Sequence, residues 1–130
     1  MSSFTSPLIV SPMSDGRRWK LHRSFTYHVG SEYSNMVVVV PAGSITDFAS
    51  IPSIFWSLLP SWGKYGKAAV VHDWLYHQHN ILSRGSKSSI TRKEADIIFY
   101  EGMLVSGTRR WKAEVMYWAV RLFGQLAWRK

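Results

Sequence analysis

Nine consecutive residues, Ala68-Ala69-Val70-Val71-His72-Asp73-Trp74-Leu75-Tyr76, limit what this chain can become more than any other stretch. The run is apolar enough to be buried, yet it carries an adjacent imidazole and carboxylate, and a buried charge needs a partner. On a helix, residues four apart share a face. His72 and Tyr76 therefore point the same way, with the small side chains of Ala68 and Ala69 one turn earlier. Asp73 lies about 100° further round. One segment thus offers a base on one side and an oxygen ligand on the next.

The chain of 130 residues, 46% hydrophobic, is long enough to bury a core unaided and reads as a single domain over 1–130. Its first 14 residues read as an irregular arm, because Pro7 and Pro12 oppose regular structure before Asp15. Cysteine is absent, which excludes disulfides and thiolate metal sites and suits the host cytoplasm or a virion interior. A net charge of +8 and a pI near 10.1 predict attraction to phosphate, on nucleic acid or phospholipid, or to an acidic protein. Charge alone does not choose among them. The longest apolar run, Met36 to Pro41, is far short of the roughly 20 residues a membrane span needs. Met1 to Pro12 lacks the charged start of a signal peptide.

Taken in order, Trp19, Leu21, Phe25 and Tyr27 alternate with polar residues and predict one half-buried strand over Arg18 to Tyr27. A turn at Gly30-Ser31-Glu32 precedes a β-branched strand over Met36 to Val40, paired with the first. The stretch Pro41 to Pro52 is dense in turn formers and holds Thr46, Asp47 and Ser50. A short helix from Ser50 to Leu59 is expected next, ended by Pro60, Gly63 and Gly66. Helix one of the core spans about Tyr65 to His79, and polar Asn80 to Ser89 reads as an exposed loop. Thr91-Arg92-Lys93-Glu94 is a capping box that starts a second helix running to about Val105, with Asp96 near its start. Gly107 ends it. A third helix, Arg109 to about Trp128, has Glu114, Arg121 and Gln125 on one face. Trp111, Val115, Trp118, Leu122 and Phe123 occupy the rest, expected to pack on the first two helices.

The combination of His72-Asp73-x-x-Tyr76 on one helix with Asp96 on a second resembles phospholipase A2. That resemblance implies a helical core of that kind, with His72 as general base, Asp73 as a Ca²⁺ ligand, Asp96 orienting the imidazole and Tyr76 bonding Asp96. It covers roughly Ala68 to Met103. The glycine-rich calcium loop of that superfamily is not recognisable in this chain, and Asp47 is a candidate to stand in for it as an oxygen ligand. A longer resemblance, to short phage and bacterial proteins of the domain-of-unknown-function family 1353, rests on VPAG-x-x-TD-x-ASIP at Val40 to Pro52, HDWLY at His72 to Tyr76 and R-x-x-AD at Arg92 to Asp96. It groups Thr46, Asp47, Ser50, His72, Asp73 and Asp96 as one polar cluster and implies a phage or prophage origin.

Each of these residues also has a plainer reading. His72 and Asp73 can be a hydrogen-bonded pair stitching loop to helix, and Asp96 a first-turn acid. Thr46, Asp47 and Ser50 can be turn and cap chemistry. His77 and His79 lack the spacing of a zinc helix. The expected architecture is α+β, a small N-terminal antiparallel sheet followed by three helices. The expected function is metal-assisted hydrolysis of lipid acyl esters at an anionic membrane surface. The alternatives are a non-catalytic virion or tail-assembly component working with other phage structural proteins, and a nucleic-acid-binding accessory protein.

Overall fold

The computed structural model describes residues 3–4, 10–12, 19–22, 24–29, 36–46 and 62–129. Over these the chain is α+β, with antiparallel strands leading into helices. The strands are β1 (Ser3–Phe4), β2 (Val10–Pro12), β3 (Trp19–Leu21), β4 (Phe25–His28), β5 (Met36–Val40) and β6 (Ile45–Thr46). Helix α1 (Trp62–Gln78) is followed by β7 (Asn80–Ser83) and β8 (Ser86–Ser89), then α2 (Arg92–Val105), α3 (Arg110–Phe123) and α4 (Gln125–Arg129). Two sheets form, one ordered β1-β4-β5-β7-β8 and one ordered β2-β3-β6.

The pairing of β4 with β5 matches expectation, Tyr27 lying opposite Val38 with both side chains buried. The single strand expected over Arg18 to Tyr27 is instead two strands in different sheets. Leu21 and Tyr27 keep the inward alternation, but a bend at His22 moves the chain from one sheet to the other. Alternation reports which side faces the core and is blind to which sheet supplies the neighbours. The arm before Asp15 contributes β1 and β2, each at a sheet edge, and Pro12 ends β2 where a missing N–H disrupts no ladder.

Asn80 to Ser89 is a hairpin rather than a loop. Arg84 and Gly85 both have positive φ, 52° and 80°, which suits a two-residue turn. Ile81 is buried, whereas every residue of β8 is exposed, so no hydrophobic period marks this strand in the sequence. β7 then joins β5 through Met36–Ser83 and Val37–Leu82 pairs.

Helix α1 begins at Trp62, so Gly63 and Gly66 lie inside it rather than ending a preceding helix. The short helix expected from Ser50 lies outside the described residues. Residues 68–73, 75 and 76 of α1 are all buried, the pattern of a helix enclosed on every side. The capping box at Thr91 forms as expected: the Glu94 N–H donates to Thr91 Oγ1 at 3.1 Å, and the Thr91 N–H donates to Glu94 Oε1 at 2.9 Å. Gly107, at φ 94°, follows the end of α2.

The third helix differs most from expectation. It breaks at Gly124 into α3 and α4, and α3 packs on α2 through Ala113, Met116, Ala119 and Val120. Trp111, Trp118, Leu122 and Phe123 face outward. The alanines permit close approach between the helices around Met116 and Val120, and these outward side chains are left on the opposite side.

Candidate active site

Helices α1 and α2 face each other and bring together residues 24 positions apart. His72 Nε2 lies 2.7 Å from Asp96 Oδ1, and the Tyr76 hydroxyl donates to the same oxygen at 2.5 Å. The other carboxylate oxygen accepts from Arg121 Nη1 of α3 at 3.0 Å, with Arg92 Nη1 at 3.7 Å. His72 and Asp96 are both 0% exposed. The His72 ring is tilted against Tyr76 at 4.2 Å and Phe99 at 4.5 Å between centroids.

This geometry assigns the histidine tautomer. A carboxylate paired to a guanidinium accepts hydrogen bonds and does not donate, so the His72 nitrogen facing it, Nε2, carries a proton. In the neutral ring the lone pair is then on Nδ1. Burial raises the Tyr76 pKa well above its ordinary 10.0, and the hydrogen bond to Asp96 adds to the shift. The hydroxyl therefore stays a donor. Below pH 10 this contribution to stability is complete; above it the unfolded tyrosine ionises while the folded one does not, and stability falls. Tyr76→Phe removes that component. Its urea-unfolding free energy is expected to decline less steeply than the wild type's from pH 10 to 11, and parallel slopes would show that Tyr76 does not titrate differently in the fold.

Arg92 does more than approach Asp96. It donates to the carbonyls of Val120 at 3.0 Å and Arg121 at 3.1 Å, so one guanidinium ties α2 to the last turn of α3. Gly124 has a related part. A Cβ there would lie 2.5 Å from the Val120 carbonyl oxygen, 2.7 Å from the Tyr76 hydroxyl and 3.1 Å from its ring, so glycine lets the chain pass close to both. Gly124→Ala is expected to cost about 1–3 kcal/mol in urea unfolding, an overpacking penalty. An unchanged midpoint would mean that Tyr76 moves aside freely. Arg121 and Gly124 were not legible as site residues, since both reach the site from a third helix. Arg92 had a signal, its spacing of one turn from Asp96.

Asp73 points elsewhere. It is buried at 4% exposure, lies 3.6 Å from His77 Nε2, and lines a cleft of about 260 Å³ with Leu21, Ser44, Ile45, Trp74 and Gln78. The Pro41–Ser44 turn builds the far wall: Gly43 sits at φ 90°, Ser44 Oγ donates to the Pro41 carbonyl at 2.7 Å, and β6 is delivered beside β3. Thr46 ends β6 opposite Trp19. Its side chain, together with Asp47 and Ser50, lies outside the described residues. The three histidines of α1 and its end have separate partners, His72 with Asp96, His77 with Asp73, and His79 stacked on Trp128 at 3.8 Å. Among the described residues no three His, Cys, Asp or Glu side chains gather as a metal-binding group.

A family model described as "Protein of unknown function (DUF1353)" matches residues 19–120. The chain belongs to this family. Uncharacterized protein y4jT of Sinorhizobium fredii (strain NBRC 101917 / NGR234) is 40% identical over 87 residues, which is 65% of this chain and 23% of y4jT. Uncharacterized protein y4iH of the same strain is 38% identical over 81 residues, 61% of this chain and 30% of y4iH. The chain thus spans under a third of either relative. No solved structure matches. The DUF1353 match contains all of α1 and α2, and so the whole His72–Asp96–Tyr76 constellation. No helix among the described residues is long and apolar enough to cross a membrane.

Proposed function

We propose that this DUF1353 protein is an acyl-ester hydrolase of the phospholipase A2 kind, acting on anionic lipid at a host membrane during infection or lysis. The observation that supports the reading best is the 2.7 Å contact of His72 Nε2 with Asp96 Oδ1, which orients the ring as a general base requires, with Nδ1 as the proposed proton-accepting atom. In the proposed reaction Nδ1 takes a proton from water as the water oxygen attacks the acyl carbonyl. The imidazolium returns that proton to the departing alkoxide, giving a fatty acid and a lysolipid. Asp96 stabilises the imidazolium, and Tyr76 and Arg121 hold Asp96 in position. The net charge of +8 favours an anionic lipid as substrate.

Calcium at Asp73 belongs to this proposal as a ligand to be tested. A hard cation takes six to eight oxygens. The described residues offer one carboxylate beside a histidine nitrogen, so by themselves they do not fit a calcium shell. Asp47 is the second carboxylate proposed. Millimolar calcium is expected to raise the melting temperature of the wild type and leave that of Asp73→Asn unchanged. An equal response in the two proteins would remove Asp73 as a ligand. The hydrolase reading itself is tested by fatty-acid release from phosphatidylglycerol vesicles, with and without calcium. No release under either condition would overturn it.

A second reading has its own support in the complete burial of His72 and the filling of both Asp96 oxygens. In it the cluster is a structural tie among three helices of a virion or tail-assembly component. Retention of wild-type assembly by a His72 variant that has lost all hydrolysis would count against it.

A further inference from the structure

We infer that the outward face of α3 is a docking surface for anionic lipid bilayers. Trp111, Val115, Trp118 and Leu122 follow one another at intervals of four, three and four residues, which stacks them in a single stripe. With Glu114 and Phe123 they line an open depression of about 470 Å³. Trp118 is 60% exposed and Leu122 70%. The opposite side of the helix is fixed on α2 by Ala113, Met116 and Val120, so the stripe is held rigidly outward.

Charge selects lipid as the occupant. Exposed Arg109 and Arg110 stand at the start of the helix, and Lys112 Nζ sits 5.6 Å from the centre of the Trp111 ring. Glu114, the acid on this face, is paired with Arg110 Nε at 3.5 Å. A second copy of the chain would bring another net charge of +8 to this basic face. A bilayer surface of anionic headgroups neutralises them and receives the tryptophans at its interface, where rings of mixed polarity prefer to lie. This surface deepens the hydrolase reading by naming the part of the protein that meets lipid, and binding is measured apart from hydrolysis so that either can fail alone.

The test is co-sedimentation of the full chain with vesicles. The wild type is expected to bind phosphatidylglycerol vesicles, to bind phosphatidylcholine vesicles weakly, and to lose binding as salt rises. Trp118→Ser combined with Leu122→Ser, two exposed positions, is expected to weaken binding to phosphatidylglycerol roughly tenfold or more with an unchanged melting temperature. His72→Gln is expected to bind like the wild type. The inference is overturned if the double variant partitions as the wild type does, or if the wild type ignores both kinds of vesicle. It is also overturned if the wild type is a dimer without vesicle affinity that the double variant turns into a monomer, since the occupant is then a second copy.

Discussion

Asp96→Ala is expected to lower the unfolding free energy by about 3–5 kcal/mol, the usual cost of removing one member of a buried ion pair. Three donors lose their acceptor at once: His72 Nε2, the Tyr76 hydroxyl and Arg121 Nη1. His72 and Tyr76 have almost no exposed surface, so water does not replace the lost bonds without opening the interface between α1 and α2. Arg121 is 24% exposed in its side chain and recovers part of its solvation, which keeps the cost within that range. Asp96→Asn separates charge from shape. Its amide oxygen still serves His72 and Tyr76, while its NH₂ faces Arg121, so the loss is expected to be smaller than for alanine. Urea unfolding at pH 7 measures each value. A loss below about 1 kcal/mol for alanine would mean that the three helices do not depend on this carboxylate.

His72→Gln is expected to act in the opposite way, with a modest effect on stability and a large one on chemistry. The glutamine amide can donate to Asp96 as Nε2 does, so the cost in stability should be about 1–2 kcal/mol, from poorer contact with Tyr76 and Phe99. It has no basic nitrogen to replace Nδ1. The proposed ester hydrolysis should therefore fall about 10²–10⁴-fold, the range for loss of a general base. Initial rates on phosphatidylglycerol vesicles, beside an unfolding curve of the same sample, separate the effects. Undiminished hydrolysis in a folded variant would remove His72 from the chemistry.

Much of the site could be read from local spacing. His72 and Tyr76 share a face by helical period, and the capping box at Thr91 places the start of α2 and with it the height of Asp96. Two helices in register are enough to bring these three side chains together. The parts that could not be read come from outside those helices. Arg121 looked like a solvent-facing residue of an amphipathic helix, and nothing in its own neighbourhood signals a carboxylate on α2. Gly124 reads as an ordinary position inside a long helix, because part of its reason for being glycine, beside the nearby Val120 carbonyl, is the hydroxyl of Tyr76, 48 residues earlier in the chain. The β7–β8 hairpin was hidden because β8 is wholly exposed and carries no period-2 hydrophobic pattern.

The chain by itself thus determined the α+β class, the β4–β5 pairing, the capped start of α2 and the side-by-side placement of imidazole and carboxylate on α1. These depend on residues within a few positions of one another, where steric preference and periodicity act directly. Only the tertiary structure decided that β3 and β4 join different sheets, that α3 packs by Ala113, Met116, Ala119 and Val120 and turns its tryptophans outward, and that Arg121 completes the shell of Asp96. In each case two surfaces compete for the same partner. The winner is set by closeness of packing and by the need of a buried charge for its counter-charge, neither of which is a property of a local stretch.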